Sequence, residues 1–303
     1  QNYGYMYLAG TQAFADTLRE NQRVQRGAGA ETELLSADEI KARYPFYNVD
    51  DVVLGSINRK DEGYWDGGTV FDWLRRSARD RGVEYVHNEV VAMTRRGPRV
   101  SSVTLATGEV VSCGHVVNAS GPRAARTAAM AGLDAPVEPR KRFTWIFSAE
   151  RPLDQELPLT IDPSGVHVRQ DGPQTYLAGA APEPDPAVDY NDFHMDHGRW
   201  EDHVWPIIAN RIPQFEAIRI ETEWAGHYAF NTLDQNAILG PHPDVENFHF
   251  LNGFSGHGLQ QAPAMGRGTA EWLTYGAYRS LDLSPFGYER VVQRQPIIEK
   301  AVI

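Results

Sequence analysis

The stretch NFHFLNGFSGHGLQQAPAMGRGTAE, residues 247–271, contains the sharpest change of periodicity in the chain. Phe248 and Phe250 alternate with polar neighbours, the two-residue period of a short buried strand. Gly253-Phe254-Ser255-Gly256-His257-Gly258 follows, a turn whose glycines let the backbone bend and let another group approach closely. From Leu259 onward Ala262, Met265, Gly266, Ala270 and Leu273 recur at three- and four-residue spacing, which predicts a packed helix. A strand, a glycine turn and a helix start gather free backbone N–H groups at one point, where the helix dipole also favours negative charge. Such a point suits a phosphate, a carboxylate or the electron-rich edge of a cofactor ring. It would equally serve as a tight turn that closes a sheet.

With 303 residues the chain can build one large domain or two modest ones, each with a real core. It carries 29 basic against 40 acidic residues and no basic-aromatic cluster, which argues against nucleic acid as a partner. Cys113 is the single cysteine, so an intrachain disulfide framework and a thiolate metal site are excluded. No apolar run approaches the roughly 18 residues of a membrane span, and the start resembles no signal peptide. Because the chain begins at Gln1, not at methionine, and opens inside an apparent helix, it is expected to be part of a longer protein or a trimmed piece of one.

Working back from that stretch, residues 4–26 read as a strand then a helix ending in Gly27-Ala28-Gly29. Ser36-Ala37-Asp38-Glu39 has the form of a capping box. Residues 55–68 are expected to be loop, with Thr69 or its neighbour capping a helix to about Asp80 that places Val70, Trp73, Leu74 and Ala78 on one face. Val83 to Thr94 is a strand candidate, and a hairpin is expected around Thr107-Gly108. His115 to Ala119 is a short apolar strand leading to Ser120-Gly121-Pro122 and an alanine-rich helix, Arg123 to Ala131. Residues 133–141, with Pro136 and Pro139, look like a crossing between subdomains. The following region is antiparallel in character: Phe143 to Ala149 alternates, Asp171-Gly172 marks a hairpin, and Ile218 to Phe230 is a strand. His194 to Ala209 is expected to be helical, with Pro206 as a bend or stop. Its His194, Asp196, His197 and His203 are metal-ligand types at the spacing of a solvated helix face, so no metal site is expected. Trp200, Trp205 and Trp224 are expected in the core or an interface.

With these residues in view, the chain resembles the FAD-dependent amine and D-amino-acid oxidoreductases, the group that includes sarcosine oxidase and dimethylglycine dehydrogenase. Trp65 to Val83, Val116 to Gly121 (VVNASG), Gly226 to Gly240 and Gly253 to Gly258 match family segments in family order. Within the group, NTLDQNAILGPHP, GFSGHGLQQAP and LDLSPF resemble the branch of FAD-dependent oxidoreductase domain proteins linked to mitochondrial complex I assembly, and its bacterial relatives. The resemblance implies an α/β (α+β) fold: a Rossmann-like FAD-binding domain, residues 62–135 and 232–303, interleaved with a substrate domain, 1–61 and 136–231, of mainly antiparallel sheet plus helices. The family's opening strand, its Gly-x-Gly-x-x-Gly and the acidic ribose ligand are absent here. A missing N-terminal segment or a second chain is therefore expected to complete the FAD site.

The same resemblance implies site roles. Gly253, Ser255, Gly256, His257, Gly258, Leu259 and Gln260 would meet the flavin edge, where the amides of Gly256, His257 and Gly258 would stabilise negative charge on the reduced ring. Ala119, Ser120 and Gly121 would pack along the dinucleotide. Val91 would meet the adenine through its backbone, unless it is an ordinary core valine. His257 would polarise the flavin carbonyl or brace the turn. Tyr228, His227, His167 and Arg169 are candidates for a substrate wall, with Arg169 offering a fork for a carboxylate; structural roles stand beside each. His227 also lies near the segment where sarcosine oxidases attach flavin through a cysteine. Gln260 stands where those enzymes place a lysine for the substrate carboxylate, and it cannot form an ion pair.

The implied reaction is two-electron oxidation of the C–N bond of a secondary amine or amino acid, of sarcosine, dimethylglycine or D-amino-acid type, to an imine, with FAD as cofactor. Two other readings stay open: an assembly or scaffold factor that keeps the fold without turnover, and a 2-hydroxy-acid oxidoreductase. The expected location is the cytoplasm for a bacterial protein or the mitochondrial matrix for a eukaryotic one.

Overall fold

The computed structural model describes residues 1–300. In chain order the elements are β1 (Tyr5–Ala9), α1 (Gln12–Gly27), β2 (Glu33–Leu35), α2 (Ala37–Arg43), β3 (Leu54–Asn58), α3 (Gly67–Asp80), β4 (Val90–Arg96), β5 (Arg99–Leu105), β6 (Val110–Ser112), β7 (Val116–Asn118), α4 (Ala124–Ala129), β8 (Val137–Ala149), β9 (Leu159–Ile161), β10 (His167–Gln170), β11 (Thr175–Ala180), α5 (Trp205–Arg211), β12 (Ile218–Asn231), β13 (Ile238–His242), β14 (Val245–Asn252), α6 (Gly258–Tyr275) and α7 (Glu289–Val292). They form an eight-stranded sheet in the order β12-β8-β11-β10-β9-β1-β3-β2 and two three-stranded sheets, β13-β14-β7 and β4-β5-β6. The large sheet is antiparallel except where β1 runs parallel to β9, and β14 runs parallel to β7. This is the mixed α/β architecture that the resemblance implied.

Alternation in β8 explains the main core. Phe143, Trp145 and Phe147 point to one face and pack with Tyr176, Trp200 and Phe215, all six buried. Phe147 meets Phe215 edge-on with centroids 5.1 Å apart, a geometry aromatic rings favour. Trp205 joins this core and donates from Nε1 to the Phe215 carbonyl at 3.0 Å, whereas Trp224 is exposed. A second core lies under β14, where Phe248 and Phe250 pack with Val137, Ile238 and Tyr288.

Several local expectations are corrected. Of residues 55–68, expected as loop, 55–58 belong to strand β3 and 67–68 to α3; at Gly55 a Cβ would stand 2.6 Å from Ile40 Cδ1 on α2. The cap of α3 is Asp66, whose carboxylate accepts from Thr69 N at 3.1 Å and Thr69 Oγ1 at 2.7 Å. The strand predicted from Val83 begins only at Val90, after an irregular segment. The predicted crossing at 133–141 already contains the start of β8, which tolerates Pro139 because Pro139 pairs there only with the edge strand β12. Helix does not begin at His194; a π turn spans Trp200–Val204 and α5 starts at Trp205, with Pro206 in its first turn, where no N–H is needed. On α6 the buried positions are Met265 and Gly268, while Ala262, Gly266 and Ala270 are exposed. The apolar face of α3 is exposed as well, with Phe71 65% and Trp73 61% accessible.

The capping box of α2 is present as expected, Glu39 N donating to Ser36 Oγ at 3.3 Å and Ser36 N to Glu39 Oε2 at 2.8 Å. Hairpins form around Thr107-Gly108 and Asp171-Gly172. Beyond β12 the chain turns on Asp234, whose buried carboxylate accepts from Asn231 Nδ2 at 3.0 Å, Asn236 N at 3.0 Å and Ile297 N at 2.8 Å and pairs with Arg290. Removing one member leaves a buried charge without its partner. Asp234→Ala should therefore destabilise the protein by about 3–5 kcal/mol, read from urea unfolding; a loss under about 1 kcal/mol would show that water replaces the carboxylate.

Candidate functional site

The glycine turn is held by hydrogen bonds to the edge of the large sheet. Ser255 sits at φ 47, a conformation uncommon for a side-chain-bearing residue, and is fully enclosed. Its N–H donates to the Ala229 carbonyl at 3.1 Å, and its Oγ accepts from Asn231 N at 2.9 Å. Gly256, at φ +99, lies against Tyr228, where a Cβ would stand 2.6 Å from Cε2. Glycine is required here on both counts. Gly253, at φ +71, approaches Asn231 and Val137 in the same way.

α6 starts at Gly258 with its dipole and first amides directed at this turn. The amide of His257 is used within the turn, donating to the Phe254 carbonyl at 2.9 Å, which corrects its assignment as a free donor. Among the described residues, the amides of Gly256, Gly258, Leu259 and Gln260 have no acceptor. His257 Nδ1 and Gln261 Oε1 are likewise buried without partners.

The turn roofs a cavity of about 320 Å³. Tyr5 and Tyr7 of β1, Leu159 and Ile161 of β9, His167 of β10 and Tyr228 of β12 form its sheet side, and Ser255, Gly256, His257 and Gln260 its other side. Gln25 and Glu62 complete the wall. Burial pushes the Tyr228 phenol up, opposed by the nearby Arg142 guanidinium, which lies 4.4 Å from its ring centre. Burial also raises the Glu62 carboxyl. His167 is pushed down to about 4, first by burial and then by Arg169 and Arg142, and its Nδ1 is buried without a partner. Room for its ring exists because residue 179 is glycine: a Cβ there would lie 2.3 Å from His167 Nε2.

The candidate residues do not all meet at this cavity. His257, Tyr228, His167, Ser255, Gly256 and Gln260 do. Arg169 does not border it: its guanidinium lies 3.9 Å from the Tyr64 ring centre, and Nη1 is shared by Asp171 at 3.0 Å and the Gln170 carbonyl at 2.8 Å. His227 alternates to the opposite face of β12, where it stacks on Phe193 and bonds the Asp192 carbonyl at 2.8 Å, away from the turn. Leu259 packs over the start of α3 at Gly67. In the histidine-rich segment, His197 is tied to Glu223 at 2.5 Å, and no cluster fit to hold a metal occurs among the described residues.

A second line of candidates runs along the small parallel sheet. The carboxyl ends of β7 and β14 lie side by side, and ligands of α/β folds bind beyond such ends. Asn118 Oδ1 there accepts from Ser120 Oγ at 2.7 Å and from Asn252 Nδ2 at 3.3 Å, bringing the Ala119-Ser120-Gly121 loop beside the start of the glycine turn. Asn252 Oδ1 is buried without a partner. Val91 is 44% exposed, not a core valine, and the β4–β5 register slips at that residue. Sequence reasoning missed Glu62, Tyr5, Tyr7, Asn118 and Asn252. The i, i+2 spacing of Tyr5 and Tyr7 on a strand was the one available signal for a shared face.

A parallel strand pair ending in a glycine turn, beside a broad and mainly antiparallel sheet with a cavity between them, is a mixed α/β fold. Residues 1–272 match the FAD dependent oxidoreductase (DAO) family, and the chain belongs to it. FAD dependent oxidoreductase domain-containing protein 1 of Xenopus laevis is 34% identical over 99% of this chain, which spans 66% of that protein's length. Mitochondrial sarcosine dehydrogenase of Mus musculus is 25% identical over 90% of the chain and 31% of its own length. The fold is also that of L-proline dehydrogenase from P. horikoshii, with TM-score 0.87 and 24% identity, covering 98% of this chain and 78% of that one. No helix among the described residues is long and apolar enough to cross a membrane.

The residues at the turn fit the ring edge of the family's cofactor. Unused amides at a helix start and an unpartnered buried imidazole nitrogen are groups an electron-rich carbonyl edge would satisfy. Gly256→Ala should cost about 1–3 kcal/mol through backbone strain and contact with Tyr228. Gly266→Ala, where a Cβ meets nothing within 4 Å, should not destabilise. Thermal melts of both variants check this. His167 gives a pH dependence: its folded value of about 4 lies below the ordinary 6.5, so the unfolded chain binds the extra proton. Its contribution to stability is complete above pH 6.5 and is lost as pH falls towards 4. Unfolding midpoints across that range should fall less steeply for His167→Asn than for the unaltered protein.

Proposed function

We propose that the chain forms the substrate cavity and the flavin-edge part of an FAD-dependent oxidoreductase that oxidises the C–N bond of a secondary amine or amino acid to an imine. The observation that carries this reading is the convergence of the α6 amides, His257, Tyr228 and His167 on one cavity. FAD, when bound, would supply the two-electron acceptor, taking up the hydride (one proton with two electrons) from the carbon next to nitrogen.

The chain's own residues supply orientation and electrostatics. The amides of Gly256, Gly258, Leu259 and Gln260 favour negative charge at the ring edge, and Gly253 with Ser255 fixes where they point. His257 Nδ1, buried and unpartnered, adds a polar group beside them. Ala119, Ser120 and Gly121 would hold the dinucleotide, and the backbone at Val91, where the β4–β5 register shifts, would meet the adenine. The tyrosine walls exclude water, which strengthens each of these interactions. Residues 62–135 and 232–303 act as the FAD-binding part and residues 1–61 and 136–231 as the substrate part. Arg169 acts at second hand, by holding Tyr64 and lowering the basicity of His167.

A scaffold reading is favoured by one observation, the neutral Gln260 at the cavity wall. Anaerobic mixing of the FAD-bound protein with a panel of N-methyl amines, N-methyl amino acids and D-amino acids separates the two. Loss of flavin absorbance with at least one amine is expected, and Tyr228→Phe should slow it roughly tenfold or more if the phenol helps place the substrate. Flavin that stays oxidised with every amine supports the scaffold, and reduction by 2-hydroxy acids alone supports the hydroxy-acid reading.

A further inference from the structure

The charge balance of the cavity carries an inference about which amine enters it. Among the described residues its wall contains one carboxylate, Glu62, and no lysine or arginine. The two nearby guanidiniums are already committed: Arg142 is clamped by Asp185 at 2.9 and 3.0 Å, and Arg169 by Asp171 at 3.0 Å. Gln260 is neutral, and His167 is held in its neutral form by burial. Glu62 shares the wall with Tyr5 and Tyr7, burial raises its carboxyl, and among the described residues it has no salt-bridge partner. A carboxylate in such a setting is left without a countercharge, and a cationic ligand would supply one. The rings of Tyr5, Tyr7 and Tyr228 add faces on which an ammonium is attracted.

We propose that Glu62, with the tyrosine wall, selects substrates that present an ammonium group without a neighbouring carboxylate: simple secondary amines, or amino-acid derivatives whose carboxyl is an amide or ester. The proposal rests on the amine-oxidising reading above and deepens it. A zwitterionic amino acid brings its own carboxylate into a cavity whose wall already holds a carboxyl without a countercharge and no lysine or arginine, and burying a second carboxylate there outweighs the hydrogen bonds Gln260 can offer. Substrate binds here by its cationic end and gives a proton to the Glu62 carboxylate before hydride loss, because a protonated nitrogen has no lone pair with which to form the C=N bond; the hydride then goes to FAD.

The test uses N-methylglycine and N-methylglycinamide, which differ only in replacing the carboxylate by a neutral amide. Dissociation constants are measured calorimetrically on the FAD-bound protein under anaerobic conditions, with flavin absorbance followed in parallel. N-methylglycinamide should bind at least about tenfold more tightly than N-methylglycine. Glu62→Gln should remove that preference by weakening the amide's binding about tenfold while leaving N-methylglycine unchanged or improved. Gln260→Lys, which adds a cation to the same wall, should shift the preference towards N-methylglycine, and it does so even if Glu62→Gln fails to fold. Equal affinities, a preference for N-methylglycine, or no measurable binding of the amide overturns the proposal. Failure of the amine-oxidising reading looks different: the affinity preference persists, but neither ligand, nor any other amine, bleaches the flavin.

Discussion

The contact on which the site depends is the pair of hydrogen bonds that ties Ser255 to β12. One sheet ends at Asn252 and the other at Asn231; Ser255 N meets the Ala229 carbonyl, and Asn231 N meets Ser255 Oγ. Through these two bonds the parallel strand pair and the eight-stranded sheet share an edge. The turn can follow β12 only because Gly253 and Gly256 take positive φ and because Ser255 itself is held at φ 47. Strain of that kind persists only where surrounding bonds over-determine it, and here the buried Asn231 supplies them, being bonded in turn to Asp234 and Asn236.

That join also sets the chemistry available. Roofing the sheet with a helix start places backbone donors over a floor of tyrosines, so polar groups act in a medium with little water. The same enclosure raises the Tyr228 and Glu62 groups and lowers His167, each through loss of hydration. The result is a cavity of neutral hydrogen-bonding groups with one acidic wall residue. Groups outside the wall tune it: Arg142 lies over Tyr228 while its charge is absorbed by Asp185, so it steadies the ring without offering a cation to the cavity.

Much of this was legible in local sequence. The capping box at Ser36, the hairpins at Thr107-Gly108 and Asp171-Gly172 and the strand–turn–helix at 247–271 follow from short-range rules about φ, side-chain capping and periodicity. Errors arose where a residue answers to a distant neighbour. Gly55 signalled a loop, yet it is glycine because Ile40 crosses the strand there. Pro206 signalled a bend or a stop; it is no stop, since α5 runs on through it to Arg211, and the irregularity is the π turn at Trp200–Val204 just before it. Of the face assigned to α6 (Ala262, Met265, Gly266, Ala270 and Leu273) only Met265 is buried; the other buried position is Gly268, where Leu283 and Tyr278 pack.

The sequence alone determined the elements, the glycine turn and, through several motifs in order, membership of the FAD dependent oxidoreductase family. These follow from backbone stereochemistry and patterning within a few residues. Tertiary structure decided which candidates meet. It put His167, Tyr228 and His257 around one cavity, took Arg169 and His227 away from it, and brought in Glu62, Tyr5 and Tyr7. Those assignments depend on strand register and on a long-range parallel pairing of β1 with β9, and a one-residue change of register would turn each side chain to the opposite face.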